Sequence, residues 1–148
     1  MSDLLTIMDG IKTYLDASFN TYIQAVDNTL PTISTSTIKI DEEYNLDSTS
    51  LDMYLDYDKE ELELIDLSSF QSRLGLQLTM LVGKNKKAMT NCIKYREAFI
   101  KLLKDDFTLG GLVSVATITE IERYNLNADL TKKDNAGIVI SLQLLYEV

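Results

Sequence analysis

The stretch Asp105–Val113, DDFTLGGLV, decides how the chain is read. A lysine-studded, helix-like run precedes it, and a run rich in valine and threonine follows it. Paired glycines beside a threonine suggest a phosphate loop. Such a loop needs a strand, then glycines, then Lys and Ser or Thr opening a helix. Here the order is inverted and no lysine follows the glycines. A dinucleotide fingerprint fails as well, because Gly110-Gly111 lacks a third glycine and a downstream helix. The reading that remains is structural: Gly110 or Gly111 takes the left-handed conformation that stops a helix and turns it into a strand. That favours a building block over a nucleotide-dependent enzyme.

Upstream of the turn, residues 84–106 predict a helix. Ala88, Cys92, Tyr95, Phe99 and Leu102 recur at four and three, with Asn85 as the expected cap. Cys92 falls on the apolar stripe, where core packing is the expected role, and it has no cysteine to pair with. Downstream, residues 112–125 and 136–147 predict two long strands joined by NLNADLTKKDNAG, a loop of turn-forming composition. Residues 72–82, SRLGLQLTMLV, alternate apolar and polar as a strand with one wet face does. Residues 3–27 carry a helical apolar stripe that Ser2 or Asp3 can cap and Pro31 must end. Residues 32–40, TISTSTIKI, are β-branched and predict a strand. Together these elements predict one α+β domain over 1–148. Its antiparallel sheet has about four strands, with two helices on one face.

The charge is −9, and it is concentrated. Residues 41–66 hold eleven acids against Lys59 alone, a net −10, so the rest of the chain is close to neutral. Within this insert, Leu51, Met53, Leu55 and Tyr57 alternate with Asp52, Tyr54, Asp56 and Asp58, which predicts a strand or hairpin arm. The remainder of the insert is expected to be mobile. The acids do not match a calcium loop, which needs a glycine at its sixth position and a glutamate at its twelfth. Nor do they show a recognisable catalytic pair. A solvated or partner-facing surface is the favoured reading, with Asp52, Tyr54, Asp56, Tyr57, Asp58, Glu60 and Glu61 as candidate contact residues. For Tyr54 and Tyr57, packing of the insert onto its own domain is an equal alternative.

The chain has no histidine, which removes the commonest general base and transition-metal ligand. No catalytic residue, metal site or cofactor is expected. Lys84, Lys86 and Lys87 are the only tight basic group, too few for a nucleic-acid face. No apolar run approaches the roughly 20 residues of a membrane helix. The opening MSDLLTIMDG lacks the features of a signal peptide, so none is expected.

The second half, residues 72–148, resembles the tail-terminator or tail-completion proteins of long-tailed bacteriophages. The resemblance lies in a lysine-rich helix (KKAMTNCIKYREAFIKLL), the TLGG turn leading into a hairpin, and a final apolar strand closing on Tyr146-Glu147. It implies an α+β fold and a homo-oligomeric ring, a hexamer in the assembled tail. Such a ring stops polymerisation of the tail-tube protein and offers a surface to the head-completion protein. It also implies a virion location after assembly in the host cytoplasm. No catalytic or metal residue comes with it. The alternatives are a neck or head-closure connector, and a cytosolic α+β module that binds a cation or ligand through the acidic insert.

Overall fold

The computed structural model describes residues 3–40, 42–44, 51–127, 129 and 131–148. The expectations placed on Ser2, Asp41, Asp47 and the stretch 45–50 lie outside those residues. Among the described residues the order is α1 (Leu4–Val26), β1 (Ile38–Ile40), β2 (Leu51–Leu64), β3 (Phe70–Val82), α2 (Ala88–Asp105), β4 (Val115–Asn125) and β5 (Ala136–Glu147). The strands form one sheet in the order β1-β2-β3-β5-β4. The fold is α+β, and the sheet is open.

α1 begins where Asp3 accepts a hydrogen bond from the Thr6 amide at 2.8 Å. This satisfies one of the orphan donors of the first turn. Its stripe of Ile7, Ile11, Leu15, Phe19 and Ile23 is buried. The Phe19 ring meets Phe99 of α2 edge-on, with centroids 5.8 Å apart. On the sheet side, Leu74, Leu76, Leu78 and Met80 of β3 join Ile138, Ile140, Leu142 and Leu144 of β5 in the same core. Each such side chain contributes about 1.5–3 kcal/mol on burial. α2 starts later than the sequence suggests. Asn85 does not cap it directly. Its side chain accepts from the Lys87 amide at 2.8 Å and shapes the turn before the helix.

Two features of the sheet differ from the sequence reading. First, β1 runs parallel to β2, with Ile38 opposite Met53, so the sheet is mixed and has five strands. Second, the strand expected over 32–40 is only Ile38–Ile40. The cause is Asn20 on α1. Its amide donates to the Ile33 carbonyl, and its oxygen accepts from the Ile33 amide, both at 2.8 Å. With both backbone groups held by a helix, Ile33 cannot join a ladder. Ser34 and Thr37 then close a turn that delivers the chain to β1.

β2 and β3 form a long hairpin with an irregularity between Tyr57 and Glu60. Before it, Leu51, Met53 and Leu55 face the helices. After it, Glu60, Leu62 and Leu64 take that face, opposite Leu74, Ser72 and Phe70. Since β1 pairs only with Met53–Leu55, the outer edge of β2 from Asp56 onward has no strand beside it among the described residues.

Candidate functional site

The two places singled out in the sequence, the glycine turn and the acidic insert, are built in different ways. At the turn, α2 ends with two acids, an unfavourable choice at the negative end of a helix dipole. α1 supplies a hydroxyl to each. Tyr22 donates to Asp105 at 2.7 Å, and Tyr14 donates to Asp106 at 3.0 Å. Asp106 also accepts from the Thr108 amide and hydroxyl at 3.1 and 2.7 Å, and from the Gly110 amide at 2.8 Å. The Thr108 hydroxyl accepts from the Gly111 amide at 3.0 Å. Amides that would cradle a phosphate are thus taken by the chain's own side chains.

These contacts set the local acidity. The Thr108 hydroxyl, the Gly110 amide and Tyr14 hold the Asp106 carboxyl below its ordinary range, against the opposing effect of burial. Burial and the facing carboxylate push the Tyr14 hydroxyl up to about 12. Leu109, Gly110 and Gly111 all have positive φ, at 51°, 72° and 85°. A Cβ on Gly110 would lie 2.9 Å from the Tyr14 ring, whereas one on Gly111 would meet nothing within 4 Å.

The acidic insert divides into a covered part and an open part. Asp52 and Tyr54 lie on the sheet face opposite the helices and are covered. Asp52 is ion-paired to Lys39 at 3.0 Å. The Lys39 ammonium sits 5.3 Å from the centre of the Tyr54 ring, and Tyr54 is 0% exposed beneath Tyr44, ring centres 4.7 Å apart. The Tyr44 hydroxyl reaches Asp56 at 3.3 Å and Thr79 at 3.2 Å. Asp56 is half-buried, while Tyr57, Asp58, Glu60 and Glu61 are exposed on the outer hairpin. There Lys59 pairs with Glu61 at 3.0 Å, and Tyr146 donates to Glu60 at 3.2 Å. The contact residues named from the sequence therefore do not form one surface: Asp52 and Tyr54 are turned away from solvent, Asp56 is half-buried, and Tyr57, Asp58, Glu60 and Glu61 are open.

Alternation alone missed the apolar half of the open surface. Leu62, Leu64 and Phe70 are exposed on the helix side of the hairpin, and Ile65 and Leu67 are exposed at its tip, Leu67 fully. The sequence held a trace of this. Apolar positions are odd-numbered from Leu51 to Tyr57 and even-numbered at Leu62 and Leu64, a switch that only an irregular step between them can produce. Beside the hairpin, Leu4, Leu5, Met8, Ile40, Leu55 and Tyr57 line an indentation of about 230 Å³.

Cys92 is fully buried, and burial pushes its thiol up to about 12. A thiol held neutral in this way is not an activated nucleophile. Among the described residues, no three carboxylates or cysteines converge on a point where a metal ion could sit. No helix is long and apolar enough to cross a membrane.

No protein-family model matches the chain, and no curated protein matches it. Among solved structures it is similar to a chain described as "Virion of native gene transfer agent (GTA) particle". The TM-score is 0.42 and the identity 9%, over 90% of this chain and 95% of that one. At that score and identity the likeness carries no weight for function.

Proposed function

We propose that this chain is a phage or prophage structural protein, a tail terminator that assembles as a ring at the end of the tail tube. The ring stops tube growth and presents a face for head joining. The observation that carries the reading is the open hairpin. Leu62, Leu64, Ile65, Leu67 and Phe70 are exposed beside a row of acids and a strand edge that has no partner among the described residues. Contiguous exposed apolar surface of this kind marks a contact with another protein, and a bare strand edge is a template for one. The kind of assembly comes from the resemblance of residues 72–148, whose order of helix, TLGG turn, hairpin and final strand matches the elements α2, β4 and β5. The self-satisfied glycine turn supports a structural role for that motif over a catalytic one. The proposed partners are further copies of the chain, the tail-tube protein and the head-completion protein, in a virion tail assembled in the host cytoplasm.

The test is an assembly assay with polymerising tail-tube protein from the same genome. The expected result is tubes of limited length with a ring at one end. Tubes of unchanged length with bare ends overturn the reading.

A further inference from the structure

The two ends of the sheet are complementary. At the outer end, the β2–β3 hairpin closes through Ile65-Asp66-Leu67, with Glu61 and Glu63 on its arm. Asp66 is held in a fixed turn by the Ser68 amide at 2.8 Å and hydroxyl at 3.1 Å. At the inner end, the loops after β3 and before β5 are tied together. The Asn85 amide donates to the Asp134 carbonyl at 3.0 Å, and the Lys84 amide donates to Asn135 at 3.1 Å. This places Lys132 and Lys133 at the same end of the sheet as Lys84, Lys86 and Lys87. All five are exposed, and among the described residues none has an ion pair.

Next to these lysines is a cleft of about 330 Å³ where the α1–β1 connection meets the first turn of α2. Leu30 and Pro31 give it apolar wall; its polar side is Asn85, Lys87, Thr29 and the Asp27–Lys94 ion pair, closed at 2.6 Å. Asn91 also lines it. That residue is only 8% exposed as a whole, and its side chain borders the open cleft. The helix start at Lys87 has no side-chain cap, which adds positive potential at the same spot.

We infer that this cleft receives the hairpin tip of a second copy of the chain. The tip offers Leu67 for the wall of Leu30 and Pro31, and carboxylates at Asp66 and Glu63 for the exposed lysines at the cleft's rim, which have no ion pair among the described residues. Complementary charge selects this occupant, since the acidic hairpin and the lysine end are the two oppositely charged extremes of one molecule. The contact joins unlike surfaces, so it repeats head to tail and yields a ring where the rotation closes. The inference rests on the assembly reading above and names the surfaces that perform it.

Thirteen residues of β3 separate the two ends, roughly 40 Å at the rise of an extended strand. A zero-length carbodiimide link from Glu63 or Asp66 to Lys86 or Lys87 must therefore join two molecules. Such links are expected in the full-length protein at low ionic strength, and sedimentation should show self-association that weakens between about 0.05 and 0.5 M salt. Glu63→Lys with Asp66→Lys, and separately Lys86→Glu with Lys87→Glu, should each weaken self-association about tenfold or more. All four positions are exposed, and circular dichroism checks that each variant folds. An equimolar mixture should regain association, because the intact hairpin of the second variant meets the intact cleft of the first and the reversed hairpin meets the reversed cleft. The contact is overturned if the chain stays monomeric at low salt, if links join other surfaces, or if the folded variants associate like the parent. It is also overturned if added tail-tube protein, rather than Asp66, is what links to Lys87. Tubes capped normally by the charge-reversed variants overturn this contact and leave the terminator reading standing. Head-to-tail links without any effect on tubes do the opposite.

Discussion

Asp106 accepts hydrogen bonds from the Thr108 and Gly110 amides of the glycine turn, and its protonation state has a measurable consequence. The folded chain favours the carboxylate, holding its pKa below the ordinary value. Its stabilising contribution is therefore full above about pH 4, where an unfolded aspartate is ionised. The contribution is lost as pH falls through the lower folded value. Asp106→Asn should cost about 1–3 kcal/mol at pH 7, and in denaturant melts the gap to the parent should close below about pH 4. Gly110→Ala should be the worse of the two glycine substitutions, by about 1 kcal/mol or more, because it adds a clash with the Tyr14 ring to a strained φ. Equal costs for Gly110→Ala and Gly111→Ala would show that the ring simply moves aside. The glycines were readable from sequence, since helix and strand patterns meet at them. The acceptor that fills the loop was not, because nothing in DDFTLGG says which carboxylate turns inward or that tyrosines 92 and 83 residues away complete the set.

At the scale of elements, long periodic stretches were legible and short ones were not. The stripes of α1 and α2 and the alternation of β3 and β5 follow from burial on one face, which repeats along the sequence. The stretch 32–40 had β-branched composition but only three residues of strand, because a side chain on α1 outcompetes the ladder for the Ile33 backbone. Asn20→Ala should cost about 2–3 kcal/mol, as two part-buried backbone groups lose their partner. A cost under about 0.5 kcal/mol in chemical denaturation would mean that water replaces the clamp without penalty. The hairpin invites the opposite expectation. Leu62→Ser with Leu64→Ser should change stability by no more than about 0.5 kcal/mol per site, since both are exposed. Phe19→Ala, by contrast, should cost about 3–5 kcal/mol. A large loss from the leucine pair would show that the hairpin is held against the body of its own domain.

For the whole molecule, the separation of charge was legible as an acidic insert, but its counterpart was not. Lys84, Lys86 and Lys87 form a small group in sequence, and Lys132 and Lys133 reach the same end only through the antiparallel pairing of β3 with β5. Non-local pairing of this sort leaves no trace in any window of the chain. The core itself contains a clock. Cys92 is the sole thiol, completely enclosed and kept neutral, so an aromatic disulfide reagent can reach it only when the helix layer lifts from the sheet. Its labelling rate under native conditions equals the opening equilibrium times the rate for a free thiol, when reclosing is fast. The proposed association with other copies would stabilise the closed form by mass action, and on that proposal labelling should slow as protein concentration rises. One buried sulfur then reports how often the fold breathes, and whether a second copy slows it.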